Sequence, residues 1–439
     1  MMTSRLHEHR SRGSTLEVRN ARRTMVWSPT LSALGMSLVL LTATVDGVAQ
    51  TPFSLVNLGA NVENYDARIS GRGGWGMAES DTLIPAFKNL AGLAGLTYVA
   101  VLISGYGERR EIETATEVGA DVRRTYRVLT PNLRFVLPIG REFGAFSAGF
   151  RARRATQYTT VKPGSWPIND NDVFGEEQYQ RQGTQFEIPL GVSIRFTKRI
   201  QLAGSLNLIN GNIKEYLTTL FVNPSGQFAP SERVQRDEFD GASTSIYLLL
   251  TPLKFFRLGG SYTPAYGVTM KRKVNLNGVA QAAESSFRLN MPQEWAAGAA
   301  LFLGPRWQIG ADFELRAFSE FTGYEPWEGE EDEWTWSAGI ERRGARVRDG
   351  GWSNIPFRLG VMRRHWGYRV GDVSDPASAQ PQPVEETLVS IGTGFPFRSG
   401  MGHMDVAFSY GWVGDKELNG NVDHIYRLSI SVAGLEKWW

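Results

Sequence analysis

Gly71, Gly73 and Gly76 stand in the order G-x-G-x-x-G, the spacing at which a tight turn brings backbone amides up to a pyrophosphate. That chemistry needs a buried strand before the first glycine, a helix opening at the last, and an acidic side chain about 20 positions on. The preceding Glu63-Asn-Tyr-Asp-Ala-Arg-Ile-Ser70 does not read as a buried strand, and around position 96 stands only Leu-Ala-Gly-Leu-Thr. The spacing is present and its context is not, so a dinucleotide site is rejected.

Other reactive groupings fare no better. Two of the five histidines fall in the first fifty residues, and His365, His403 and His424 are far apart, without the H-E-x-x-H spacing of a zinc hydrolase. No G-x-S-x-G elbow occurs, so a lipase would need a serine brought close in space to one of those three histidines. The chain has no cysteine, which removes thiolate nucleophiles, thiolate metal sites and disulfides. The run Glu-Gly-Glu-Glu-Asp-Glu at 328–333 has the oxygens for a divalent cation, yet contiguous charge reads first as a solvated loop. The expectation is a protein with no catalytic residue, no metal and no cofactor.

The elements that carry these residues follow from composition and period. The 439 residues are 42% hydrophobic and 21% charged with a net charge of +2, enough apolar material for a large folded body and no electrostatic case for nucleic acid. Arg19, Arg22 and Arg23, the apolar run at 31–44 and Gly47-Val48-Ala49 read as an export signal over 1–49. A buried helix or anchor is the alternative, but the run falls short of the ~20 residues that span a bilayer. Beyond residue 50 no stretch approaches a helical span. Alternation recurs instead: Phe186, Ile188, Leu190, Val192, Ile194 and Phe196 take every second place, with Glu187, Pro189, Gly191, Ser193 and Arg195 between them. A period of two puts the two sets on opposite faces of a strand. The same rhythm returns at 200–208, 242–250, 307–317, 355–361, 404–412 and 426–432.

A soluble sandwich and a membrane barrel both alternate this way, and connection lengths separate them. Short turns at 197–199, 304–306 and 398–400 alternate with long polar stretches at 162–183, 214–238, 319–333 and 372–385, the signature of a barrel with short periplasmic turns and long outer loops. Trp307, Trp334, Trp336, Trp366, Trp412 and Trp438-Trp439, near strand ends, suit interfacial girdles. The fold expected is all-β: a transmembrane antiparallel barrel of about fourteen strands over 96–439. The compact, Gly/Ala-rich residues 50–95 are expected inside the lumen as a hatch, with Trp75, Met77, Leu83, Ile84 and Phe87 against the wall. A disordered periplasmic tail is the alternative, disfavoured by so many apolar side chains. Arg151, Arg153, Arg195, Asp312, Glu314, Arg316, Arg358 and Arg364 are expected to face the lumen, where they would hold the hatch by ion pairs or offer a charge-assisted site for a carboxylate.

The hatch stretch, with Gly71, Gly73, Gly76, Met77, Ala78 and Asp81 in order, resembles the N-terminal hatch of the FadL/TodX outer-membrane hydrophobe transporters. Lys88-Asn89-Leu90-Ala91-Gly92-Leu93 is similar to that family's Asn-Pro-Ala-like turn, with Leu90 where Pro usually stands. Leu289-Asn-Met-Pro-Gln-Glu-Trp295, Pro305-Arg-Trp-Gln-Ile-Gly-Ala-Asp312, Phe318-Ser-Glu-Phe321, Asn354-Ile-Pro-Phe-Arg-Leu-Gly360 and the close from Ile425 also resemble the family's strands, while 97–240 match only in rhythm.

The resemblance implies a monomer in the outer membrane of a Gram-negative-type bacterium, inserted by the barrel assembly machinery among lipid and lipopolysaccharide. It would take up long-chain fatty acids or other hydrophobic small molecules, held between hatch and wall and released sideways into the membrane. Carried onto this chain, Trp75, Met77, Phe87, Asn89, Arg151, Arg316 and Arg358 would meet the ligand, and Gly71, Gly73, Gly76 and Asp81 would form the hatch turn. The rival reading is an interaction or secretion platform like the PorV-type relatives, with no small-molecule transport.

Overall fold

Alternation at period two carries the chain into strands, and their pairing carries the strands into a ring. The computed structural model describes residues 51–437 except 56–57, 64, 82–84, 86–87, 117–118, 141–142, 169–170, 223–228, 282–283, 325–330, 345–353, 371–381 and 398–400. The export segment expected at 1–49, and Leu83, Ile84, Phe87 and Trp438-Trp439, therefore lie outside the described residues. The strands are β1 (Ala60–Asn61), β2 (Tyr98–Thr116), β3 (Gly119–Ile139), β4 (Gly144–Ile168), β5 (Asn171–Arg195), β6 (Ile200–Phe221), β7 (Ser231–Leu253), β8 (Phe256–Thr263) and β9 (Tyr266–Leu276). They continue with β10 (Val279–Ala280), β11 (Ser285–Met291), β12 (Glu294–Leu303), β13 (Trp307–Arg316), β14 (Glu333–Arg342), β15 (Phe357–Val370), β16 (Gln382–Phe397), β17 (Gly402–Val413) and β18 (Asn421–Lys437).

Every wall pairing is antiparallel, and β18 returns to β2 from Asn421↔Thr114 to Lys437↔Tyr98, closing the ring. Two wall strands are each broken once. β8 and β9 flank Pro264, β11 and β12 flank Pro292, and their halves pair β12 with β8 and β11 with β9. Proline has no N–H for the ladder and fixes its own φ, which is why both interruptions fall there. Leaving out the two-residue strands β1 and β10 and counting each broken strand once gives fourteen, as the sequence predicts.

The expected inversion of faces holds. Ile188, Leu190 and Val192 are 42%, 36% and 47% exposed, whereas the adjacent Glu187 is 1% exposed. Apolar outside and polar inside is the pattern of a barrel whose solvent is lipid. No described helix is long and apolar enough to cross a membrane.

Two expectations are corrected. The stretches 162–183 and 214–238 are not long loops: β4 and β5 stay paired up to Ile168↔Asn171, and β6 and β7 up to Thr219↔Ser231. Beyond the apolar band neither face needs to be greasy, so pairing continues where alternation has stopped. The wall is therefore tall along β4–β7 and short along β12–β14. Trp366 is not in a girdle. It is 6% exposed and donates its indole N–H to Glu386 at 3.0 Å, because the register of β15 on β16 shifts between His365 and Arg369. Gly367, at φ +73°, takes a left-handed conformation open to glycine within that shift.

Candidate functional site in the barrel lumen

The N-terminal segment meets walls on opposite sides of the ring. A single helical turn, α1 (Ala67–Ser70), is capped by Asp66, whose side chain accepts from the Ile69 amide at 2.7 Å. It packs against β16, β17 and β18. The 3₁₀ turn Leu90–Gly95 packs against β4, β5, β6 and β7. A segment touching both sets lies across the lumen. Asn89 begins the 3₁₀ turn by accepting from the Ala91 amide at 3.0 Å, and its Nδ2 donates to Met77 O at 2.7 Å and Leu248 O at 3.0 Å. Leu90, free of proline's constraint, is 2% exposed with its methyl end against Gly191.

The glycine run explains itself by close approach. Gly73 has φ +77°, and a Cβ there would overlap the Val361 backbone. The wall answers with its own glycines, one per strand at the level of the turn. A Cβ on Gly259 would overlap Met77, one on Gly310 the Trp75 ring, and one on Gly339 or Gly360 the Arg72 backbone. Backbone lies on backbone only where neither side carries a side chain. This belt was missed in the sequence. Its signal is an inward glycine recurring on β8, β12, β13, β14, β15 and β16.

Charge secures the docking. Glu341, 1% exposed on β14, receives Arg68 Nε at 3.1 Å, Arg72 Nη1 at 2.9 Å and Arg358 Nε at 2.9 Å. Arg72 also pairs with Glu79, and its guanidinium lies 4.2 Å from the Trp75 ring centre. Asp312 on β13 accepts from the amides of Gly76 and Met77 and from Lys88 Nζ at 2.9 Å. Asp81 accepts from Arg68 at 3.2 Å.

Beside this docked segment lies a cavity of about 130 Å³. Asn61, Val62, Tyr65, Met77 and Lys88 form its segment side, and Arg151, Arg153, Glu187, Glu294, Glu314 and Arg316 are prominent on its wall side. The lining is ion-paired: Arg151 to Glu187 at 2.7 Å, Arg153 to Glu187 at 3.1 Å and also to Glu294, Arg316 to Glu294 at 3.6 Å. Fully formed small-molecule pockets run from ~300 Å³ upwards, so this one, as it stands, fits one end of a larger molecule.

One end of the cavity borders a defect in the wall. β3 pairs with β2 from Thr116↔Gly119 to Ala100↔Val136, and β4 pairs with β5 over most of its length. Yet β3 and β4 pair with each other only between Asn132↔Arg151 and Ile139↔Gly144. Above Arg151 they part, at the level of Pro131, until Arg123 reaches across to Thr159 O at 2.9 Å. At ~3.3 Å per residue, residues 151–159 give a slit roughly 25 Å long. Its β3 edge carries Tyr126 and Val128, 59% and 44% exposed, and Phe150, 36% exposed, stands in the paired stretch just below it. Across the inner side lies β1: Ala60 and Asn61 pair with Ala155 and Arg154, and the Val62 amide donates to Arg153 O at 3.0 Å. Val62, Ala152, Ala155 and Tyr106 form a small apolar cluster there.

Among the residues expected at a ligand, Met77, Arg151 and Arg316 line the cavity. Trp75 is 1% exposed and sits in the glycine belt, Asn89 is committed to its turn, and Arg358 is 1% exposed between Glu341 and Asp405. Arg153, expected at the lumen face, also lines the cavity, whereas Asn61, Val62, Tyr65 and Lys88 were not singled out from the sequence as ligand contacts; the pairing defect that gathers several of them leaves Pro131 as its one local trace. His365, His403 and His424 stay on separate partners, Glu331, Asp405 and Glu113. No grouping able to hold a metal occurs among the described residues.

No protein-family model matches the chain, and no curated protein matches it in sequence. Solved structures do match in fold. The CymD monoaromatic hydrocarbon channel superposes with a TM-score of 0.55 at 14% identity, covering 87% of this chain and 99% of its own. A Pseudomonas aeruginosa FadL homologue gives 0.57 at 14%, covering 86% and 99%. The Ralstonia pickettii toluene transporter TbuX gives 0.54 at 14%, covering 85% and 99%. The chain thus has the fold of the FadL-type hydrophobic-compound channels.

Proposed function

We propose that this protein is an outer-membrane conduit for hydrophobic small molecules, long-chain fatty acids among them. Cargo enters from outside, rests between the N-terminal segment and the wall, and leaves sideways through the slit between β3 and β4. The observation that carries this reading is the continuity of cavity and slit at Arg151, Arg153 and Val62. A solute with an apolar chain and a polar end matches both parts: the polar end meets the ion-paired cavity, and the chain meets the exposed Tyr126, Val128 and Phe150 around the slit. Lateral release spares such a solute the water that it avoids. The segment acts as a hatch over residues 50–95, and no step requires a catalytic group.

The test is binding and uptake of a long-chain fatty acid by wild type and by a variant lacking residues 51–95. Saturable binding that the deletion abolishes supports the reading. Equal, negligible binding in both would overturn it, and a stoichiometric co-purifying protein partner would instead favour the platform role.

A further inference from the structure

On the outer face of the tall wall three cations stand in one row across three adjacent strands. Lys214 on β6 is the register partner of Arg236 on β7, and Arg236 is the register partner of Lys273 on β9. Register partners hold their Cβ atoms about 4.5–5.5 Å apart, a separation at which like charges destabilise the sheet. Relief within the chain is partial. Arg236 reaches Glu238 at 2.9 Å and Lys273 reaches Glu284 at 3.1 Å, and all four side chains are exposed to water that screens them. The row borders a groove of about 450 Å³ that Tyr216 and Val234 also line.

The height of the row identifies what it would meet. Lys214 follows the buried Ile213 and so shares the outward face with the exposed Leu206 and Leu208. It lies six positions beyond Leu208 (214 − 208). For strands rising ~3.3 Å per residue and tilted ~40°, that is roughly 15 Å above the greasy band. We propose that this row and its groove dock the phosphorylated inner sugars of a lipopolysaccharide molecule packed against the barrel. The proposal rests on the outer-membrane reading above. Phosphate groups at this level remove the mutual repulsion of the three cations and accept charge-assisted hydrogen bonds from them.

The test uses the mature chain in detergent and three probes: lipopolysaccharide with a phosphorylated inner core, the same material dephosphorylated, and inorganic phosphate. The variant is Lys214→Gln/Arg236→Gln/Lys273→Gln. Its control, Lys198→Gln/Arg199→Gln/Lys254→Gln, removes as many charges from the short turns at the opposite end. The expected result is binding about tenfold weaker in the first variant and unchanged in the control, lost from wild type when the core is dephosphorylated, and weakened by about 0.5 M salt. Binding by the first variant within about twofold of wild type, equal binding of the dephosphorylated form, or competition by inorganic phosphate at matched concentration would each overturn the proposal. Membrane fractionation of the same two variants separates the outcomes: a protein absent from the outer membrane sinks the functional reading itself.

Discussion

Asp312 on the wall accepts hydrogen bonds from the backbone amides of Gly76 and Met77, at 2.7 and 3.0 Å. The amides at the end of the G-x-G-x-x-G run are given to an anion after all, but the anion is a carboxylate of the same chain. Lys88 joins the same carboxylate at 2.9 Å. Asp312→Ala would strand two buried amides, while Lys88 keeps Glu314 and the Gly74 carbonyl, a loss of about 2–4 kcal/mol. Limited proteolysis should then cleave within 51–96 faster than in wild type, while Asp312→Asn, which keeps an acceptor, should fall between. Unchanged cleavage in the alanine variant would show that the turn is held by other contacts.

Glu341 gathers Arg68, Arg72 and Arg358 in a lumen shielded from water. Glu341→Gln leaves three guanidinium groups under-compensated and should cost about 3–5 kcal/mol. Adding Arg68→Met to that background should cost less than it does alone, because one of its carboxylate partners has gone. A thermal-melting double-mutant cycle measures the coupling, and strict additivity would argue against the hub.

The glycine belt makes a steric prediction. Gly360→Val drives a side chain into the Arg72 backbone and should destabilise the docked segment by about 1–3 kcal/mol. Gly260 lies on the opposite face of β8 from Gly259, and the nearest atom to a Cβ there is Ala296 O at 3.5 Å. Gly260→Ala should therefore melt like wild type.

The loop after β13 is tied down by charge. The Glu331 carboxyl is held below the ordinary glutamate range by hydrogen bonds from Arg369 and from His365. A depressed folded-state pKa adds stability that is present above the ordinary value and lost as pH falls through the depressed one. Proteolysis at 317–332 should thus quicken only on acidification below that range. Glu331→Gln should show the fast rate at neutral pH and no further acid response.

Much of this architecture was legible because a lipid solvent inverts the alternation without blurring it: Glu187 between Ile188 and Phe186 already states which face is wet. The fourteen wall strands and the inward Asp312 and Arg316 followed from period two. Three things did not. Above the apolar band β4–β7 lose their alternation while keeping their hydrogen bonds, so paired strands read as loops. Gly367 and the register shift beside it turned Trp366 inward, a backbone event with no periodic trace. The parting of β3 from β4 is a non-local pairing choice, visible in sequence only as Pro131 within a strand.

The central claim is that cargo leaves through the slit that β1 lies across. Asn61 and Arg154 are register partners, and the bond from Val62 N to Arg153 O makes theirs the close, non-hydrogen-bonded kind of pair. At Cα separations near ~4.5 Å such a pair accepts a disulfide, and the chain holds no other cysteine to interfere. The decisive measurement is fatty-acid uptake by cells carrying Asn61→Cys/Arg154→Cys, oxidised and then reduced. Uptake that stops on oxidation and returns with reductant is the predicted result; uptake at the wild-type rate with the lock closed would contradict the account.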